Sequence, residues 1–400
     1  MTTPSQSEPG TARQPIASHS TLQTTTRAIF LISLPFGILH FVLPIFGEQI
    51  GADAVEIGLF FSAFSLMTVL LRPAVGVALD RYGRRPFFVS GLLGYAVTMV
   101  VFALAGDVRT IVLARLMQGT ASSLLWLTAD SITADVADAG GRGGAFGGVG
   151  QASMAGTVLG TFIGFGLLSA LSFFTAWKWL FGIYAGLCLL AALGAMWRLP
   201  ETYRSAQRPQ RPIAWSRQWI LLLLVTLVTG ASAAMIAPII MIFLQRKLAA
   251  SVDELAWAAL PAALIVALFQ SRLGALADRW GRKPLMVVSM AVAAFTSFVI
   301  PNLTQLVQLA AVWALQDLCY AVGDPAEQAL VADLTGGDQR GRAYGLYAMA
   351  AGLGMTVGPV AGGWLYERLG PQAPFVANGL VLAVSALLLA AWLREPPRDA

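Results

Sequence analysis

The sequence predicts an all-α membrane protein in which twelve transmembrane helices form two pseudo-symmetric six-helix bundles. Three observations carry this: an apolar composition, a succession of apolar runs long enough to cross a bilayer, and a match of the chain to itself at a single offset. Of the 400 residues, 57% are apolar and only 12% charged, against about 25% charged in a soluble domain. The mean hydropathy is +0.70. A water-soluble surface of this composition would be one large apolar patch, so lipid is the natural solvent. At about 20 residues per span the chain holds twelve.

The apolar runs fall at 27–47, 56–79, 86–106, 109–134, 144–170, 175–197, 218–244, 254–277, 284–301, 305–332, 343–366 and 372–393. The longest break, 199–217, is rich in proline and arginine, which exclude it from the bilayer. The expected organisation is therefore a disordered tail (1–26), a first bundle (27–198), a linker (199–217), a second bundle (218–393) and a short tail (394–400). The polar start lacks the basic, apolar, small-residue order of a cleaved signal. With loops alternating from an internal N-terminus, eighteen of the 26 basic residues face the cytoplasm. Both termini and the linker are accordingly read as cytoplasmic. The net charge of +5 is scattered in short clusters between apolar runs, a pattern that does not point to nucleic acid. Cys188 and Cys319 lie in separate apolar runs with no metal-ligand neighbours. No cofactor or metal is expected.

The self-match lies at an offset of 198 residues. It lays Gly76, Asp80, Arg81, Gly83, Arg84 and Pro86 on Gly274, Asp278, Arg279, Gly281, Arg282 and Pro284. The same shift pairs Gln118 with Gln316, Asp135 with Asp333, Arg142 with Arg340, and Gly156, Gly160 and Gly164 with Gly354, Gly358 and Gly362. Parallel repeats related by an axis along the membrane normal are a transporter architecture, with the site at mid-membrane between repeats.

The doubled Gly-x-x-x-Asp-Arg-x-Gly-Arg-Arg/Lys-Pro loop resembles the loop signature of the major facilitator superfamily. Arg115 to Gly119 is similar to that family's fourth-helix motif. The Gly354, Gly358, Pro359, Gly362 and Gly363 pattern resembles the span-5 motif of its drug antiporters, here on span 11; span 5 carries Thr161 where the proline would stand. The chain as a whole resembles the family's twelve-helix bacterial drug and sugar efflux permeases. The resemblance implies the major facilitator fold in a bacterial inner membrane. It implies a monomeric secondary transporter that exports a small organic solute in exchange for protons by alternating access. Import or uniport on the same fold is the alternative. A membrane-embedded enzyme is more distant, since no catalytic cluster or ATP site is visible.

The motif residues have physical roles to match. Asp80 at the end of span 2 can bond orphan amides of a helix start, and in the resembled family that start belongs to span 11. Gly83 allows the turn, and Arg84 and Arg85 can pair with Asp135. Asp278, Gly281, Arg282 and Asp333 repeat this in the second half, and Arg142 and Arg340 flank the next loops. Contacts made in one state alone bias which side is open; the plainer reading is positive-inside loops with a turn glycine. Glycines four apart let helices approach closely, and Pro359 bends span 11.

Ionisable groups inside spans point to function. These are His40, Arg115, Asp130, Asp317, Asp324 and Glu327, with Gln118 beside Arg115. The resemblance associates Arg115 with proton transfer. His40 is the one titrating residue within span 1; it serves either as a proton carrier or as a packed, hydrogen-bonded side chain. The span-10 acids share one helix face. They serve as proton carriers, as direct contacts for a cationic or polyhydroxylated solute, or as structural ion pairs. Phe36, Trp126, Trp257, Trp313 and Tyr320 are candidate pocket aromatics.

Overall fold

The computed structural model of the chain describes residues 15–136, 142–202, 215–251, 254–255, 258, 281–334 and 340–394. Among the described residues all regular structure is helical. The first repeat half contributes α1 (Pro15–Phe41), α2 (Leu43–Gln49), α3 (Ala54–Tyr82), α4 (Arg85–Leu104), α5 (Val108–Val136), α6 (Arg142–Ala170) and α7 (Phe173–Arg198). The second contributes α8 (Arg217–Ile236), α9 (Ile240–Leu248), α10 (Arg282–Val299), α11 (Leu306–Asp333), α12 (Arg340–Leu369) and α13 (Ala373–Trp392). Ten of these helices are long and apolar enough to cross a membrane. The 29-residue α5 is more polar because it carries Arg109, Arg115, Asp130 and Asp135. The eighth expected span, including Trp257 and Gly274, lies almost wholly outside the described residues, as do Asp278 and Arg279 of the loop that follows it.

Two departures from the expected spans have physical causes. The helix of span 1 begins at Pro15, inside the stretch read as a tail. There Thr24, Thr25 and Thr26 return their hydroxyls to carbonyls four residues earlier, at 2.9, 3.0 and 2.8 Å, so the polar side chains are satisfied within the helix itself. Spans 1 and 7, expected as unbroken, each break near one end. Pro44 falls in the first turn of α2, and Pro238 lies between α8 and α9. Proline lacks an amide hydrogen and clashes with the carbonyl four residues back, so it favours a fresh helix start, as at Pro44 and Pro238, or a bend, as at Pro35, Pro73 and Pro359 inside α1, α3 and α12.

The backbone repeats as the sequence does. Gly83 and its mate Gly281 both take positive φ, +89° and +99°, at the loop preceding α4 and α10. Gly51 and its mate Ala249 end α2 and α9 with φ of +85° and +50°. A Cβ in the left-handed region costs about 1–2 kcal/mol, partly offset by the smaller chain entropy of alanine. Ala249→Gly is therefore expected to stabilise the fold by about 0.5–1 kcal/mol, seen as a rise of about 1 °C in the thermal unfolding midpoint in detergent.

The chain divides into two compact units. The first comprises 1–38, 71–104 and 120–206. In it α4 packs on α7 through buried aromatics: Phe102 and Phe181 centroids lie 5.2 Å apart, Trp177 and Phe181 4.4 Å. Trp177 Nε1 donates to the Phe102 carbonyl at 2.7 Å. The α6 helix lies against α1 along Gly156, Gly160 and Gly164, whose faces touch Phe30, Leu34 and Ile38 with no space for a side chain. The second unit comprises 39–70, 105–119 and 207–400. It holds the matching seam, with Gly354, Gly358 and Gly362 of α12 on Leu227, Ala231 and Met235 of α8. Lipid gives apolar side chains no drive to leave it, so close backbone contact of this kind is what holds such helices together.

Candidate functional site

A cavity of about 540 Å³ lies within the second unit, walled by α8, α10, α11, α12 and α13 and reached by His40 from the end of α1. Its most polar wall is α11. Gln316, Tyr320, Asp324 and Glu327 line it, at spacings of four, four and three that keep them on one helical face. Asp317 and Trp313 of the same helix are half-buried and do not line the cavity.

The two cavity carboxylates differ. Glu327 Oε1 accepts a hydrogen bond from Thr226 Oγ1 of α8 at 2.7 Å, and the Tyr347 hydroxyl of α12 donates to Glu327 as well. One side chain thus ties three helices. Asp324, one turn along, makes no hydrogen bond or ion pair among the described residues and faces the cavity. A carboxylate so placed has its acceptor sites available to water or to a bound cation.

A second polar layer fixes the floor. Asn378 of α13 accepts from Ser232 Oγ at 2.5 Å and donates to Ser297 Oγ at 2.8 Å, joining α13 to α8 and α10. Gln316 Oε1 accepts from Thr296 Oγ1 at 3.1 Å. Gly323 sits where a Cβ would strike Ser289, whose hydroxyl donates to the Cys319 carbonyl at 2.9 Å. These buried polar groups are mutually satisfied, which keeps α11 in one position against α10.

Arg115 belongs to the second unit but not to the cavity wall. It is buried, with Nε donating to the Phe60 carbonyl at 2.8 Å and Nη1 to Gln118 Oε1 at 2.7 Å. Its guanidinium lies 5.0 and 4.8 Å from the ring centroids of Phe61 and Phe64, a cation–π setting. In the first unit Phe36 sits between Tyr95 and Trp126, at centroid distances of 6.0 and 6.2 Å. Asp130 is one turn beyond Trp126, within electrostatic reach of Arg72.

The signature loops form ion pairs in each unit: Arg84 Nε stands 3.3 Å from Asp135 Oδ2, and Arg282 Nε 2.7 Å from Asp333 Oδ2. Gly76 lies against Leu127, Arg81 stacks on Tyr82 at 5.3 Å, and the side chains of Asp80, Arg142 and Arg340 fall outside the described residues. Glu201, which the sequence reading passed over, accepts from the amides of Arg84 and Arg85 at 2.7 and 3.1 Å. It caps the positive end of α4, and a Cβ on Gly83 would collide with it. Thr226, Tyr347 and Asn378 were also passed over. Neutral hydroxyls and amides are frequent in membrane helices, and only Gln316, as the repeat mate of Gln118, carried a signal.

The model of the Major Facilitator Superfamily matches residues 27–221 and again 222–400. Multidrug resistance protein 1 of Bacillus subtilis (strain 168) is 23% identical over 384 residues, covering 93% of this chain and 96% of that protein. The multi-drug resistance efflux pump PmrA of Streptococcus pneumoniae is 25% identical over 377 residues, covering 90% and 92%. The crystal structure of the nucleoside transporter NupG superimposes with a TM-score of 0.78 at 16% identity, covering 94% of this chain and 100% of that one, a likeness of fold alone.

Proposed function

This chain belongs to the Major Facilitator Superfamily, and from that premise we propose that it exports small organic solutes, cationic ones in preference, in exchange for protons by alternating access. It is a multi-pass membrane transporter and not an enzyme; its relatives include multidrug efflux pumps. The observation that carries the finer reading is the cavity. Two carboxylates and a histidine line it, and no lysine or arginine does so among the described residues. Negative charge in a low-dielectric cleft attracts cations and opposes anions, and Met286, Met290, Tyr320 and Tyr347 supply adaptable apolar and aromatic surface. Acidic side chains that are hydrated from alternate sides are also the groups that load and release protons. The volume of about 540 Å³ lies within the range of small-molecule sites. The basic residues favour cytoplasmic termini, so the loops near residues 50 and 250 face outward.

The test is uptake into everted membrane vesicles from cells that produce the chain, with matched organic cations, neutral compounds and anions. Acidifying the lumen is expected to drive accumulation of cations and, more weakly, of neutral compounds. Accumulation driven by sodium instead, indifference to the pH gradient, or preference for anions would each overturn the proposal.

A further inference from the structure

The 198-residue repeat has a geometric corollary at the outward-facing end. Two positions related by a twofold axis are separated by twice their distance from it, so mates touch only when both lie on the axis. Glu48 and Arg246 are such mates, and they touch: Arg246 donates Nε at 3.1 Å, and Nη2 as well, to Glu48 Oε1. Their helices, α2 and α9, are mates too and pack on each other. Nearby, the Glu367 carboxylate of α12 accepts from the Ala54 amide at 2.9 Å, at the start of α3. Gly58 and Gly363 let α3 and α12 meet backbone to backbone, at the carbonyls of Pro359 and Ala54. All of these groups lie in one compact unit, yet in every contact one partner comes from each repeat half.

We infer that the Glu48–Arg246 pair is an on-axis latch that sets how often the outward-facing ends part. The inference rests on alternating access and is independent of the solute and the coupling ion. The pair is solvated, its side chains 35% and 62% exposed, so it adds little to folding. The same modest strength suits a switch: the pair exists only while α2 and α9 are together, so its loss shifts the open-to-closed ratio and not the folded-to-unfolded one.

The test reads conformation, not transport. Spin labels are placed at the exposed mates Gln49 and Lys247 with Cys319 replaced by alanine, and the interlabel distances are measured in lipid nanodiscs by electron–electron resonance. Glu48→Gln and Arg246→Gln are each expected to raise the ratio of long to short distances about two- to fivefold. The double exchange Glu48→Arg with Arg246→Glu is expected to restore the wild-type ratio, because mates on the axis trade places. In the unaltered pair, raising salt to about 1 M should reproduce the single-variant ratio, while the Glu48→Gln chain stays unchanged. Single variants matching the wild type, an exchange no better than the singles, or a salt-independent wild type would each overturn the latch. A failure of cation export with the distance results intact would remove the transport reading and leave the latch standing.

Discussion

Asp324→Asn is expected to weaken transport of organic cations by about ten- to a hundredfold in apparent affinity while leaving uncharged substrates nearly unchanged. The substitution keeps shape and removes one negative charge from the only cavity carboxylate without a protein partner among the described residues. A hydrogen bond to a charged group contributes about 1.5–3 kcal/mol, and about 1.4 kcal/mol corresponds to tenfold. Glu327→Gln should behave differently. Thr226 and Tyr347 both donate to Glu327, and an amide offers these two hydroxyls one neutral acceptor oxygen in place of a carboxylate's two, and no titrating proton. Uphill transport driven by a pH gradient should fall at least a hundredfold, while exchange of labelled for unlabelled solute survives, because binding is intact and coupling is not. Asp317→Asn, outside the cavity, is the control and should change transport less than twofold. Dose–response curves and counterflow in the same vesicles separate the three. Equal loss for cations and neutral compounds in Asp324→Asn would show a packing role and remove the assignment.

Gly358→Val should leave little folded protein. A Cβ at Gly358 would lie inside contact distance of the Ala231 carbonyl and 2.8 Å from Ala234 Cβ, and at Gly362 it would meet the Met235 backbone. The first obstacle is backbone, which cannot swing aside as a side-chain tip does. The α12 helix must back away from α8, and the dispersion contacts along the whole seam weaken together. Overpacking of a close interface costs about 1–3 kcal/mol, and in a membrane no hydrophobic term compensates. The outcome is read as loss of the monodisperse peak on size-exclusion chromatography and a fall in the unfolding midpoint. Gly345→Ala, where a Cβ meets nothing, should match the wild type in both. A monodisperse, thermally unchanged Gly358→Val would show that the seam is not a close one.

What could be read in advance followed from periodicity and charge. Apolar runs report helices because each residue in a span meets lipid or another helix, and α7, α11 and α13 begin and end within two residues of the runs read for them. The breaks at Pro44 and Pro238 were less legible, since a proline in an apolar run is compatible with either a bend or a restart, and which one results depends on the packing of α2 on α9. At the cavity, Asp324 and Glu327 stood out because a charge in a span is conspicuous. Their different situations did not, because these depend on Thr226 and Tyr347, two hydroxyls brought from helices 101 residues before and 20 residues after Glu327. Asp317 illustrates the converse. Its spacing of seven from Asp324 puts it on nearly the same side of the helix, yet Asp317 does not line the cavity, so direction around α11 is not by itself enough to place a side chain in the wall.

The contact between residues 48 and 246 bears on how such a molecule came to be. In a dimer of two identical chains, a side chain on the symmetry axis faces its own copy; glutamate would oppose glutamate, or arginine would oppose arginine. An oppositely charged pair there is impossible while the two copies are identical; it requires copies free to differ, as the halves of one polypeptide are. The Glu48–Arg246 pair is thus a bond that two identical halves could not make, and it marks a point at which divergence of the repeats gave the fold something that exact symmetry withholds.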